Sequence, residues 1–275
     1  MRFLIILVLL VSMTSCQNEQ QRARRQILKL EKQTADSSRQ QLQAAYLTYV
    51  DQFSQDSLHA SRYLGKAAAI HYADLQYSSA ITLLYQALRD YYSAPSSADN
   101  LQLLYQLYVG EINIPFLSHT LTQAAQRSFP ETAEEWPLPD SLPKLEERLE
   151  ARRNSVYAEA AQGINYQSAN EFITAAELYA LLLPAAEPAP EYLFSAAEIA
   201  RGLGVYRRSL GLMDWIATRY PDRKEAAQAA FLKAFTLDEE LRDTTAARAA
   251  YESFIAQFPE DEFVDDARLL MQALE

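Results

Sequence analysis

The stretch YLFSAAEIARGLGVYRRSLGLMDWIATRYP, residues 192–221, decides the fold. Leu193, Ala196, Ala197 and Ile199 recur at helical spacing and predict the apolar face of a first helix. Gly202-Leu203-Gly204 predicts a short turn. A second helix opens at aromatic Tyr206 and carries small Ser209 three positions on, where two helices must approach closely. Met213 comes next, large enough to fill the space between hairpins. Tyr220-Pro221 closes the unit, because proline stops one helix and can open the next.

The pattern recurs along the chain. Shifted by 38 residues, Leu193 meets Phe231, Ala196 meets Ala234, Ile199 meets Leu237 and Leu203 meets Leu241. Further on, Ser209 meets Ala247, Met213 meets Tyr251, Ile216 meets Phe254, and Tyr220-Pro221 meets Phe258-Pro259. Shifted by 129, Tyr63-Leu64 falls on Tyr192-Leu193, Ala67-Ala68 on Ala196-Ala197 and Ile70 on Ile199. Tyr77 then falls on Tyr206, Ala80 on Ser209, Leu84 on Met213 and Tyr91 on Tyr220. A shift of 34 puts Phe172 on Tyr206, Ala175 on Ser209 and Tyr179 on Met213. Units of this length with two helices each predict stacked hairpins that hide their apolar sides against neighbouring copies.

This pattern resembles the tetratricopeptide repeat (TPR). Its small positions match Ala197, Ser209 and Ala247, its large ones Met213 and Tyr251, and its terminal proline Pro221 and Pro259. The resemblance is clear over about 155–275, good over 58–92 and weak over 93–143. The Phe-Pro-Glu-Asp-Glu ending at 258–262 is similar to that of envelope TPR lipoproteins. The resemblance implies an all-α, TPR-like helical-hairpin solenoid of about 12–13 helices. Ser37-Ser38-Arg39-Gln40 reads as a capping box opening a helix whose apolar face is Leu42, Ala45, Tyr46, Tyr49, Val50 and Phe53. Hairpins are expected at about 58–92, 98–128, 144–183, 189–219 and 223–257. A last helix at 261–275, with Phe263, Ala267, Leu270 and Leu274, is expected to cap the open end.

The N-terminus reads differently. Met1-Arg2 is basic and Phe3 to Val11 is an unbroken apolar run, about half the length needed to cross a bilayer. Met13-Thr14-Ser15-Cys16 resembles the lipobox of bacterial lipoproteins, with Met13 where leucine is commoner. That resemblance implies a signal peptide over 1–15, cleavage after Ser15 and lipid attachment at Cys16, the only cysteine. Residues 16–36 are expected to be the lipidated cysteine and a basic tether, followed by N-terminal helical repeats over 37–129. Arg22, Arg24, Arg25, Lys29, Lys32 and Arg39 give residues 17–39 a net charge of +3, suited either to anionic head groups or to a solvated helix face. Residues 130–143 hold Pro130, Pro137, Pro139 and Pro143 and are expected to form a loop. Trp136 within it either packs back on the body or anchors a partner. TPR-like repeats with the capping helix are expected over 144–275.

Composition narrows the function. A formal charge of −11 argues against nucleic acid as partner. Valine and glycine are scarce while Ala, Leu, Gln, Glu and Arg abound, a helix-favouring set. No phosphate loop, nucleophile elbow or His-Glu-x-x-His occurs, and no enzyme, cofactor or metal site is expected. Asp56 and His59 share a helix face but lack further ligands, so capping is the expected role. The acidic runs at 238–240 and 260–262 fall near expected helix ends, where carboxylates cap or are solvated.

The TPR resemblance implies a concave wall, lined by first helices, that binds segments of partner proteins. Carried over position by position, its candidates are Arg62 and Tyr72, then Glu191, Phe194, Glu198, Arg201 and Glu239. The function expected is that of a lipid-anchored periplasmic scaffold for other cell-envelope proteins. Gln17 stands where an aspartate commonly retains lipoproteins at the inner membrane, which favours the outer membrane. A subunit of the outer-membrane protein assembly machine is the alternative, and a nutrient-uptake lipoprotein the third.

Overall fold

The computed structural model describes residues 18–33, 36–157 and 163–274, with side chains left aside at 36–38. The expected signal peptide, Ser15, Cys16 and the Ser37-Ser38 hydroxyls lie outside the described residues. Every regular element among the described residues is helical. Helix α1 spans 18–30, α2 Asp36–Gln52, α3 Ser57–Ala73, α4 Tyr77–Asp90 and α5 Ser97–Gln106. Then come α6 Pro115–Ser128, α7 Pro130–Ala133, α8 Leu145–Ser155, α9 Tyr166–Leu182 and α10 Ala189–Gly202. The series ends with α11 Tyr206–Arg219, α12 Lys224–Phe235, α13 Thr244–Gln257 and α14 Val264–Ala273. Two π-helical segments, Leu107–Ile112 and Thr236–Glu240, continue α5 and α12. None of the helices among the described residues is long and apolar enough to cross a membrane.

Local chemistry sets the boundaries. Asp56 caps α3, Asn165 caps α9 and Asp243 caps α13, each side chain accepting from the backbone N–H three residues on. Pro130 begins α7 at the position where a missing N–H costs nothing. The proline-rich segment therefore carries one short helical turn, and Trp136 beyond it is only 9% exposed.

Contacts divide the chain into two compact units, residues 1–118 and 119–275. In the first, α3 packs against α2, α4 and α5, and α4 against α5. Its core gathers Ile27, Tyr46, Tyr49, Val50, Ala60, Tyr63, Leu64, Ala67, Ala87 and Tyr91. Within the segment expected as a basic tether over 16–36, residues 18–30 form a helix that buries Ile27, 1% exposed, in this core. Gln20 donates to Asp56 at 2.7 Å, and Glu31 accepts from Tyr46 at 2.7 Å and pairs with Lys66. That helix and short α7 bring the count to fourteen α-helices among the described residues, above the 12–13 expected.

In the second unit each helix from α8 to α14 packs on the next, and α10 also reaches α12. The small positions Ala175, Ala197, Ser209 and Ala247 and the large ones Tyr179, Met213 and Tyr251 are all fully buried. Ser209 Oγ donates to the Ala197 carbonyl at 2.8 Å, tying α11 to α10. Phe263, Ala267, Leu270 and Leu274 all join the last core cluster, with Tyr251 and Phe254 of α13.

The backbone itself repeats at the 129-residue offset. Helix α4 shifted by 129 gives the bounds of α11, and α6 gives those of α13. Left-handed Leu75 (φ 60°) meets Gly204 (φ 72°), and Asn113 (φ 49°) meets Arg242 (φ 55°). The π-helical segment at 107–112 falls on that at 236–240, and Phe129-Pro130-Glu131 falls on Phe258-Pro259-Glu260. The recurrence thus runs through the region where the small-residue pattern was weak. Side chains trade size across it. A Cβ on Gly65 would lie 2.0 Å from Asn100 Oδ1, whereas the equivalent positions hold Phe194 and buried Ala229.

Candidate functional site

Four of the residues singled out in the sequence share one helix and one face. Glu191, Phe194, Glu198 and Arg201 lie three, four and three residues apart on α10, a spacing that aligns them along its axis. The opposite face, with Tyr192, Leu193, Ala196 and Ile199, is buried. Phe194 and Arg201 are half-buried, while Glu191 and Glu198 are exposed.

Neighbouring helices complete this face from both sides. From α8, Arg153 Nη1 donates to Glu191 at 2.9 Å and to Ser195 Oγ at 3.3 Å. Its second amino group holds Glu150 at 2.6 Å. From the α12 side, Glu240 accepts from Arg201 at 2.9 Å and from the Tyr206 hydroxyl at 3.0 Å. The Arg201 guanidinium also sits 5.9 Å from the centre of the Phe235 ring, within reach of a cation–π contact. Glu239 is exposed and pairs with Arg242 at 3.6 Å.

Glu198 is the electrostatic exception. Its carboxyl is pushed above the ordinary value by desolvation, and Arg201 only partly counters this. Tyr157, just past α8 and 50% exposed, is pushed up too, by desolvation and then by the Glu198 charge. An exposed carboxyl held above its ordinary value beside an aromatic and a cation is a candidate binding group.

The other candidates fall elsewhere. Arg62 is exposed and Tyr72 half-buried, both on α3 of the first unit. They are the 129-offset equivalents of Glu191 and Arg201. Tyr72 donates to Glu111 at 3.3 Å, and Tyr77 is raised by a hydrogen bond to the same carboxylate. Glu111 and Tyr77 thus repeat the roles of Glu240 and Tyr206, locking the start of one second helix to the π-helical end of the next first helix. Trp136 is buried and its carbonyl accepts from Gln126 at 3.0 Å, so it offers no exposed anchor. Sequence reasoning missed Arg153, Tyr157, Phe235 and Glu240. Only Glu240 left a signal, its match with Glu111 at the 129 shift.

The His59 region is a satisfied cap. An open hollow of about 640 Å³ is lined by Gln20, Arg24, Phe53, Asp56 and His59 among others. Asp56 accepts there from the Tyr49 hydroxyl at 2.5 Å, from Gln20, and from the His59 ring and backbone. The other ring nitrogen of His59 faces Arg24 at 3.4 Å, which leaves no free base opposite a nucleophile. Among the described residues no three His, Cys, Asp or Glu side chains could share a metal ion. No protein-family model matches the chain, and no curated protein matches it significantly.

Proposed function

We propose that this chain is a lipid-anchored, TPR-like scaffold of the cell envelope, which docks a segment of a partner protein on the face of α10 flanked by α8 and α12. Glu198 carries the reading: it is accessible, desolvated and bordered by Tyr157, Phe194 and Arg201. An ammonium or guanidinium group on the incoming segment would relieve that carboxylate, and Tyr157 and Phe194 would supply apolar contact. Residues 119–275 hold fifteen Lys and Arg against twenty-seven Asp and Glu, a field that draws in basic segments. The hairpin order, the small buried positions Ala197, Ser209 and Ala247, and the capping helix α14 support a TPR-like stack. Met13-Thr14-Ser15-Cys16 supports the lipid anchor, and Gln17 supports the outer membrane.

The test places a photo-crosslinking residue at Tyr157 or, as control, at exposed Arg207 on α11, in cells. A discrete adduct at 157, absent at 207 and reduced at least tenfold by Glu198→Gln with Phe194→Ala, is expected. Equal adducts at both positions, or insensitivity to those substitutions, would overturn the docking face. The anchor is tested separately by Cys16→Ser, which should release the chain from the membrane fraction.

A further inference from the structure

The six basic residues of the N-terminal segment divide into two groups. Arg24 turns inward to His59, and Arg39 pairs with Asp74 at 3.0 Å. Arg22, Arg25 and Lys29 on α1, with Lys32 in the turn after it, are all exposed and obey the i, i+3, i+7, i+10 spacing of a single helical stripe. At about 100° per residue they fall within an arc of about 80°. Ala23, Ile27 and Glu31 lie on the opposite arc, toward the core. Among the described residues none of the four stripe cations sits in an ion pair. Leu28 borders the stripe, 53% exposed.

The charges of α1 are sorted by face. Of the acids here, Glu31 is spent inward on Tyr46 and Lys66, and exposed Glu19 falls about 60° beyond Arg22, outside the cationic arc. The chain enters α1 directly from the apolar run and Cys16, so the stripe begins within about ten residues of the proposed anchor. The strongly acidic second unit would be repelled by an anionic surface, whereas this stripe is attracted to one.

We infer that α1 lies along an anionic bilayer surface, with Arg22, Arg25, Lys29 and Lys32 against lipid phosphates and Leu28 dipping into the head-group layer. The inference rests on the anchor reading above, and its test separates the two. The full acylated chain carrying Leu28→Cys, its one free thiol, is labelled with a polarity-sensitive fluorophore. It is then reconstituted into vesicles of neutral phosphatidylcholine, or of the same lipid with phosphatidylglycerol. Spin-labelled head groups should quench the label in the anionic vesicles at least tenfold more than in the neutral ones. High salt, or reversal of all four cations to glutamate, should abolish the difference. Equal quenching in both vesicles while the chain stays bound would overturn the stripe and spare the anchor. A chain that washes off both vesicles in high salt would overturn the anchor, and the quenching at low salt would still score the stripe. Preference for a mixed-sequence oligonucleotide over anionic vesicles would also overturn it.

Discussion

Asp56 is the residue on which the N-terminal helix is fastened, and its removal gives the sharpest test of the packing argument. Asp56→Ala brings three losses. The α3 cap disappears, at about 1 kcal/mol. The Tyr49 hydroxyl, on a residue 1% exposed, loses its carboxylate acceptor, at about 1–3 kcal/mol. Gln20 and His59 are partly exposed and turn to water at little cost. The total is about 2–4 kcal/mol, a large part of what a domain of this size holds. Asp56→Asn keeps an oxygen for the cap and for Tyr49, and should lose only about 1 kcal/mol. Urea unfolding monitored by circular dichroism measures both, with a midpoint shift of about 1 M expected for the alanine variant. Combining it with Tyr49→Phe should recover about 1–2 kcal/mol relative to additivity, because no stranded hydroxyl is left. An alanine variant within about 0.5 kcal/mol of the parent, or strict additivity with Tyr49→Phe, would refute the reasoning.

The backbone and the carboxylates give two further expected outcomes. Leu75 holds φ 60° while 72% exposed, so Leu75→Gly should stabilise by about 0.5–1 kcal/mol in thermal unfolding, and Gly204→Ala, at φ 72° with open space around it, should destabilise by about 1 kcal/mol. Glu31, Asp56 and Glu146 are each raised by burial but lowered more by hydrogen bonds, from Lys66 and Tyr46, from Tyr49 and His59, and from Arg127 and Tyr179, and so end below their ordinary 4.5, 3.8 and 4.5. Their stabilisation is complete above those values and is lost as pH falls through the lower folded ones, so melting temperature should hold from pH 7 to about 5 and drop below about 4; a rise on acidification would contradict the assignment.

The all-α fold was legible because it rests on local periodicity. Leu193, Ala197, Ser209 and Met213 announce their burial by spacing alone, and all four are buried. Helix α1 was not legible, because its inner face is largely polar. Gln20, Arg24 and Glu31 sit inward only because Asp56, His59, Tyr46 and Lys66 on other helices receive them. The 93–143 region was obscured for another reason. Its helix α5 holds Asn100 where the matching position holds small Ala229, a substitution that only Gly65 opposite makes room for. The Glu198 charge is felt by Tyr157, and no helical spacing links 157 to 198.

Setting one 129-residue copy beside the other separates frame from face. The positions that coincide in kind bend or lock the backbone: Leu75 and Gly204, Asn113 and Arg242 by their φ, Tyr77 and Tyr206 with Glu111 and Glu240 by their hydrogen bonds. The positions that differ lie along the first helix: Arg62 against Glu191, Lys66 against Ser195, Ala69 against Glu198 and Tyr72 against Arg201. Even the Gly65–Asn100 contact, replaced by Phe194 with Ala229, moves bulk from one helix to the other, which places an aromatic on α10 where α3 has only glycine. Two equal frames with opposite surface charge cannot select the same segment. A basic ligand of the proposed kind, held by Glu198, would meet Ala69 at the equivalent place, with Arg62 repelling it, so the proposed docking would belong to the α10 copy alone.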